Sequence, residues 1–529
     1  MLAIGNDPTL TRMEIGEQEE NNCVYLPPDN DWQGLGYSIG RNTHLDEISL
    51  IKPYGSDAIS TECLLRHFLP GFVLNRSIRK FSIGGLDLSD GRLLNAIVPF
   101  FRNNPGFECL NVYDHATTDG TNLQLIASTL LSFDTLKEFT ILGDTFDNNA
   151  GDHIIDALAN HPRLEKISIN DIQISRSGFA RLATILHNQR FILSALELGN
   201  VQMDHQGAIA LATGLASSTM LKDIEISCSS DHWPDHTVTE IGLRAIFTAL
   251  YCSRCRLEKL SLTYHTVNDA AFLWLASALF RHSTTLMMLK LSNCQGFSLA
   301  SLNVLFQILR DPNSALEILH LDNNTSFTDE GIAILANALV HNDRLRVLDI
   351  SSNANVTEAG WTAFSTVLSR PNSALESLYM TTKYDGINNN VVVAFAEALA
   401  LNNRLKELTF SCSILSDGRA TLSRLLCNTS SIMSTFHSNH TLERLFPIHS
   451  ITPRDLRTIL QINKENNRIQ AARLKIIKTH FCERDINMQP FAHMSMRVRP
   501  YAIAWMAKDN HSFQFLRAMP SLLEVFKDR

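Results

Sequence analysis

The sequence predicts an α/β solenoid, in which short parallel strands stack into one sheet and a helix follows each strand. Two observations predict it. The apolar pattern L-x-x-L-x-L recurs along most of the 529 residues, and each copy is followed, after a short turn, by a residue type that caps helices. A strand of about six residues and a helix of about twelve cannot bury their apolar faces alone, so the copies must stack.

The unit is clearest at residues 316–345. Leucines at alternating strand positions are followed by a turn at Asn323 and Asn324. Thr328 is expected to cap a helix whose apolar residues follow at helical spacing, and Asn342 is expected to end it. This order of strand, turn and helix is the leucine-rich repeat.

The repeat recurs at a regular interval. In ten of thirteen steps the interval is 28 to 30 residues, which is typical of the long, helix-containing class of leucine-rich repeat. The first apolar strand positions are Leu45, Ile78, Phe107, Leu136, Leu164, Leu193, Leu221, Leu257, Leu286, Leu316, Leu345, Leu375, Leu405 and Leu442.

The repeats also contain a residue that predicts a helix N-cap, and in most of them apolar residues follow four, seven and eleven positions later. This apolar stripe is expected to face the strands. The predicted caps are Ser89, Thr118, Asp147, Ser175, Asp204, Thr239, Asn268, Ser298, Thr328, Thr357, Asn388 and Ser416.

These elements predict a horseshoe or arc, with a parallel sheet on the concave side, helices on the convex side and a helical cap at the C-terminal end. We expect a mobile acidic arm over residues 1–30. Residues 31–446 are expected to form the solenoid, with a short N-terminal capping helix and about 13–14 strands. Residues 447–529 are rich in amphipathic segments and are expected to cover the last apolar edge of the array.

Residues 41–446 resemble the ribonuclease-inhibitor-like leucine-rich repeat superfamily, which includes repeat regions of nucleotide-sensing receptors and of the Ran GTPase-activating protein. The flanks D-W-x-x-L-G-x-x-I-G-R-N-T-x-L at 31–45 and A-x-x-W-M-A-K-D at 502–509 are similar to an uncharacterised algal family of such proteins. That resemblance implies a cytosolic interaction protein. The asparagine expected at the ninth repeat position is present only as Asn324 and Asn353, which predicts a less uniform turn after the strands.

Net charge, cysteine content and the length of the apolar runs indicate which class of protein this is. The formal net charge is −8, and an acidic N-terminal region contrasts with a basic segment at 454–484. Ten scattered cysteines are typical of reduced core thiols, and no apolar run is long enough to span a bilayer. We expect a monomeric protein of the cytoplasm or nucleus that binds neither membrane nor nucleic acid.

Five residues are candidate contacts for a protein partner. His320, Asp349 and Tyr379 occupy the same outward position of three successive strands and should be neighbours. Trp233 and Tyr384 lie in the two long loops. A plain solvated sheet face is the alternative for the strand residues.

The sequence contains no motif that predicts catalysis or a cofactor. His232 and His236 lie in a proline-containing loop without a full set of zinc ligands, and Cys252 and Cys255 form a lone C-x-x-C at a helix end. We therefore expect no catalytic, cofactor or metal site, and predict a non-enzymatic scaffold that binds a partner through the concave strands and the strand-to-helix loops. The alternative is a GTPase-activating protein of the Ran-regulator type.

Overall fold

The computed structural model describes residues 6, 8–15, 23–24, 31–52, 60–86, 88, 91–113, 121–145, 150–228, 238–370, 373–381, 389–410, 416–447 and 454–480. The chain forms two compact units. The first contains the residues up to Lys290 together with Cys294–Gly296, and the second contains Leu291–Asn293 and the residues from Phe297 onward. Each unit repeats one strand and one helix, which confirms the predicted α/β leucine-rich repeat solenoid.

The strands of the first unit form a parallel sheet in the order β2-β1-β3-β4-β5-β6-β7-β8-β9-β10. Their bounds are β1 (Arg12–Ile15), β2 (Cys23–Val24), β3 (Glu47–Ile51), β4 (Lys80–Gly84), β5 (Cys109–Tyr113), β6 (Glu138–Thr145), β7 (Lys166–Ile172), β8 (Ala195–Gly199), β9 (Asp223–Ser227) and β10 (Lys259–Thr263). The helices are α1 (Trp32–Arg41), α2 (Thr61–Cys63), α3 (Leu69–Phe72), α4 (Arg92–Asn103), α5 (Thr121–Leu130), α6 (Ala150–Leu158), α7 (Arg176–His187), α8 (His205–Ser217), α9 (Glu240–Cys252) and α10 (Asp269–Arg281). A π-helical turn, Leu64–Phe68, joins α2 to α3.

Strand β11 (Met288–Ser292) lies at the division between the units. The second unit contains β12 (Ile318–His320), β13 (Val347–Asp349), β14 (Ser377–Met380), β15 (Glu407–Phe410) and β16 (Arg444–Pro447), which pair in parallel and in chain order. Its helices are α11 (Leu299–Leu305), α12 (Gln307–Arg310), α13 (Asp329–Leu339), α14 (Glu358–Ser365), α15 (Asn389–Leu401), α16 (Ser416–Leu426), α17 (Ile432–Phe436), α18 (Arg454–Glu465) and α19 (Arg468–His480).

Strand β1 lies within the segment that we predicted to be a mobile arm, so that prediction does not describe residues 12–15. The strand pairs with β3, and Met13 and Ile15 are buried. The prediction of a mobile arm rested on the acidic composition of the segment. Pairing with the exposed edge of β3 satisfies the backbone of β1 and buries its two apolar side chains, which outweighs that local preference.

The cores consist of the inward strand residues and the apolar helix stripe, as predicted. In the second unit Leu319, Leu348, Leu378 and Leu408 are at most 1% exposed. The helix residues predicted to face the strands are also buried: Phe179, Leu182, Leu186, Phe272, Leu275, Leu279, Trp361, Phe364, Leu368, Val392, Phe395 and Leu399.

The turn after the strand is more uniform than the sequence analysis expected. The eighth repeat residue has a left-handed φ between 52° and 60° in six repeats, at Asp171, Asn200, Tyr264, Asn293, Asn323 and Ser352. The turn keeps this conformation even in repeats that lack asparagine at the ninth position. Buried His265 holds that position in its own repeat, and its Nε2 lies 3.1 Å from the carbonyl oxygen of Ile226 in the preceding strand. A ring nitrogen thus replaces the amide of asparagine.

Buried asparagines join the ends of several helices to the next strand. Asn402 Nδ2 donates to the carbonyl oxygen of Leu368 in the preceding repeat at 2.7 Å, and Asn402 Oδ1 accepts from the amides of Arg404 and Leu405. Asn342, predicted only as a helix stop, makes the equivalent bonds to Leu309, Arg344 and Leu345. These residues satisfy backbone groups that helix ends leave without partners.

The predicted N-caps are confirmed at six described positions, where the side chain accepts a hydrogen bond from a first-turn amide: Ser175, Asp204, Thr239, Asn268, Ser298 and Thr357. Thr328 stands at the N-cap of α13 but makes no such bond, and its hydroxyl donates to Glu330 Oε2 at 2.7 Å. Ser416 is the first residue of α16, and the predicted caps at 89, 118, 147 and 388 lie outside the described residues.

Two of these N-caps allow a matched test of how much the capping hydrogen bond stabilises the fold. Replacing Asp204 with alanine is expected to lower the free energy of unfolding by about 1 kcal/mol, because Asp204 Oδ1 accepts from Gly207 N at 2.7 Å. Replacing Thr328 with alanine should lower it by less than about 0.5 kcal/mol, because no capping bond is lost. Urea unfolding of both variants measures the difference. Equal losses would show that the capping bond does not contribute.

Helices α18 and α19 form at 454–465 and 468–480, within the segment that was expected to form the helical cap. The residues proposed to complete the cap, 481–529, lie outside the described residues, so the full C-terminal cap stays a prediction. Lys475 of α19 is buried, and its ammonium donates to the carbonyl oxygens of Leu426 and Asn439 at 2.7 and 2.9 Å. This lysine ties the helix to the last repeat.

Candidate functional site

The outward face of the second unit is the strand surface that lies opposite the buried leucines. We define it by the residues Ile318, His320, Val347, Asp349, Ser377 and Tyr379. All six are partly exposed. Because side chains alternate along a strand, the residues on either side of Leu319, Leu348 and Leu378 share one face.

The register of the strands brings three predicted site residues together. His320 pairs with Asp349, and Asp349 pairs with Tyr379. Their adjacency on three successive strands is therefore a feature of the structure. Trp233 and Tyr384, the candidate contacts in the two long loops, lie outside the described residues.

Asp349 is held from two sides. His320 Nδ1 lies 3.6 Å from Asp349 Oδ2, and Asp349 Oδ1 accepts from the amide of Ser351 at 2.9 Å. Burial raises the pKa of Asp349, but His320 and Ser351 together lower it by more, so the carboxyl group titrates below its usual range. Asp349 is therefore a fixed negative charge on the outward face.

Tyr379 is fixed by two residues that the sequence analysis missed. Its hydroxyl donates to Glu407 Oε2 at 3.0 Å, and Arg444 Nη2 donates to the same oxygen at 2.7 Å. Burial and the nearby Glu407 carboxylate both raise the pKa of Tyr379, so the phenol stays neutral at physiological pH. An aromatic ring held in one position loses little conformational entropy when a partner binds it.

Two aliphatic residues, Ile318 and Val347, distinguish the outward face of the second unit from the strands of the first. In the first unit the third strand position forms a row of mostly charged residues in cross-strand register, with Lys259 Nζ 2.8 Å from Asp223 Oδ2. In the second unit the same position holds Ile318 and Val347 in β12 and β13, which pair with each other, and then Ser377, Glu407 and Arg444 in β14 to β16. The charged residues of the first-unit row are Glu47, Lys80, Glu138, Lys166, Asp223 and Lys259.

The outward strand positions of the first unit are mostly polar and carry both signs of charge. Lys166 Nζ lies 2.6 Å from Glu197 Oε1, and burial together with Glu197 raises the pKa of Glu225. A nucleic-acid surface needs clustered lysine and arginine. The described residues of this face do not provide such a cluster.

Burial makes two of the described thiols harder to ionise. Burial raises the pKa of Cys109 to about 12, and burial also raises the pKa of Cys255, the second cysteine of the C-x-x-C pair. Seven cysteines are free thiols: Cys63, Cys109, Cys228, Cys252, Cys255, Cys294 and Cys427. The first cysteine of the pair, Cys252, is exposed at the end of α9.

The chain is similar to known repeat proteins along about half of its length. It is 28% identical over 273 residues to a ribonuclease inhibitor of Sus scrofa, and 27% identical over 276 residues to that of Mus musculus. These alignments cover 52% of this chain and 56% and 57% of the two inhibitors.

The chain is a leucine-rich repeat protein, and over about half of its length it is similar to ribonuclease inhibitors. A third relative, the NACHT, LRR and PYD domains-containing protein 14 of Mus musculus, is 30% identical over 190 residues, which are 36% of this chain and 18% of that protein. No family model matches the chain. This leucine-rich repeat protein spans little more than half the length of the ribonuclease inhibitors. The similarity alone therefore does not assign their activity to this chain. Among its described residues, no helix has the length and apolar character needed to cross a membrane.

Proposed function

We propose that this chain is a non-enzymatic scaffold of the cytoplasm that binds another protein through the outward face of the second unit. The observation that carries the proposal is the replacement of charged residues by Ile318 and Val347 at the third strand position, beside the fixed ring of Tyr379. Apolar and aromatic side chains surrounded by polar groups are typical of the centre of a protein interface.

Two further findings support it. The relatives are named as inhibitors of ribonuclease, which favours binding to a protein over catalysis. The free thiols of the described cysteines favour a reducing compartment. No observation on the described residues favours the GTPase-activating alternative.

The test is capture of partners from native cell extract by the tagged full chain. Val347→Lys places a charge at the centre of the outward face, whereas Thr140→Lys places one at a partly exposed strand position of the first unit. We expect at least one protein retained by the wild-type chain and by Thr140→Lys to be lost with Val347→Lys. A set of captured proteins that is identical for all three chains, each shown to be folded by its thermal unfolding, would contradict the proposal.

A further inference from the structure

We propose that His320, Asp322 and Asp349 form a binding site for a divalent transition-metal cation of the zinc class. One ring nitrogen and two carboxylate oxygens of these residues lie within 4.8 Å of one another. All three side chains are partly exposed, so an ion can reach them from solvent. The site uses the chain alone and does not depend on a protein partner.

Two strands and one turn place the three ligands. His320 and Asp322 are two residues apart, so their side chains leave the chain on the same side, while Leu319 and Leu321 are buried on the other. Asp349 is the register partner of His320 in the next strand. His320 and Asp349 lie on paired strands, which hold side chains more rigidly than loops do, and Asp322 lies in the turn directly after β12.

The distance between His320 and Asp349 fits an ion between them. Nδ1 and Oδ2 are 3.6 Å apart, which is too long for a hydrogen bond. In a tetrahedral zinc site with bonds of about 2.0–2.2 Å, neighbouring ligand atoms are about 3.3–3.6 Å apart. The observed separation is therefore close to that of two ligands of one zinc ion.

Neighbouring groups orient both carboxylates. Ser292 Oγ donates to Asp322 Oδ1 at 2.5 Å, and the amide of Ser351 donates to Asp349 Oδ1 at 2.9 Å. A hydrogen bond to one carboxylate oxygen fixes the group and directs the other oxygen to the ion, as outer partners do in metal sites. The ion would also offset the repulsion between the two carboxylates.

The donor set indicates which cation is bound. Calcium and magnesium prefer sets made only of oxygen ligands, whereas an imidazole nitrogen with two carboxylates suits zinc or a neighbouring transition metal. Three protein ligands leave a fourth position for water or for a side chain of another molecule.

The sequence analysis expected no metal site, because it considered only residues close in sequence, His232 with His236 and Cys252 with Cys255. The ligands proposed here come from two repeats. The pattern that would have revealed them is histidine and aspartate at the fifth and seventh positions of one repeat, with aspartate at the fifth position of the next.

Isothermal titration of the metal-free full chain with Zn²⁺ tests the site, with the visible absorption of bound Co²⁺ as a second readout. Three variants change a ligand: His320→Ala, Asp322→Asn and Asp349→Asn. His341→Ala is the matched control, because His341 is an exposed histidine of the same unit outside the cluster.

We expect each ligand variant to bind Zn²⁺ at this site at least tenfold more weakly and to lose the Co²⁺ absorption of a tetrahedral nitrogen and oxygen site, while the control binds like the wild-type chain. Unchanged Zn²⁺ affinity and stoichiometry in the folded His320→Ala and Asp322→Asn variants would overturn the proposal. Because no partner is present, this failure is distinct from failure of the proposed scaffold function.

Discussion

The Asn353→Ala variant is expected to lose about 2–4 kcal/mol of the free energy of unfolding. Asn353 is fully buried, and its Nδ2 donates to the carbonyl oxygens of Leu321 and Ile350 at 3.1 and 2.8 Å. Its Oδ1 accepts from the amide of Asn324 at 2.8 Å. Alanine would leave these backbone groups buried without the side chain that pairs them, which costs more than the loss of an exposed hydrogen bond.

Asn355 provides the control, since it lies two residues further along the same turn. It is exposed and its side chain donates only to the carbonyl oxygen of Thr325, at 2.6 Å. We expect Asn355→Ala to cost less than about 1 kcal/mol. The shift of the urea midpoint for the two variants measures the contrast. Similar shifts would mean that the ninth-position asparagine does not stabilise the contact between neighbouring repeats.

The second prediction with a large expected effect is that Lys475 makes the free energy of unfolding depend on pH. Burial is the main cause that lowers its pKa, from 10.5 to about 7. Between these values the unfolded chain binds more protons than the folded chain, so this lysine makes stability rise as the pH rises. The slope is at most about 1.4 kcal/mol per pH unit, or about 2–3 kcal/mol between pH 7.5 and 9.5.

Comparison with Lys475→Met isolates this contribution from those of other titrating groups. The stability of the wild-type chain relative to Lys475→Met should increase between pH 7.5 and 9.5. Lys478→Met removes an exposed lysine of the same helix and should leave the pH dependence of the wild-type chain unchanged. Urea unfolding at the two pH values gives both differences. A wild-type chain and a Lys475→Met variant with parallel pH dependence would show that the ammonium group is not desolvated.

The repeat spacing was sufficient to predict which residues form the cores and which strands are neighbours. The adjacency of His320, Asp349 and Tyr379 followed from two periods, that of side chains along a strand and that of the repeat along the chain. Both periods are local features of the sequence. They do not depend on details of packing.

Interactions between repeats were harder to predict. Glu407 and Arg444 fix Tyr379, but they lie 28 and 65 residues from it in the sequence and occupy a strand position to which the sequence analysis assigned no role. His265 replaces asparagine in the turn because a ring nitrogen can reach the same kind of carbonyl oxygen. Strand β1 forms only because β3 presents an open edge. In each case the deciding contact is tertiary.

The most direct test of the central claim, that the outward face of the second unit binds a protein, is residue-level footprinting of the complex with a captured partner. We predict that side-chain labelling of Ile318, Val347 and Tyr379 falls on binding, while labelling of partly exposed Thr140 in the first unit does not change. Unchanged labelling of these three residues, with protection confined to the helices or to the first unit, would contradict the claim.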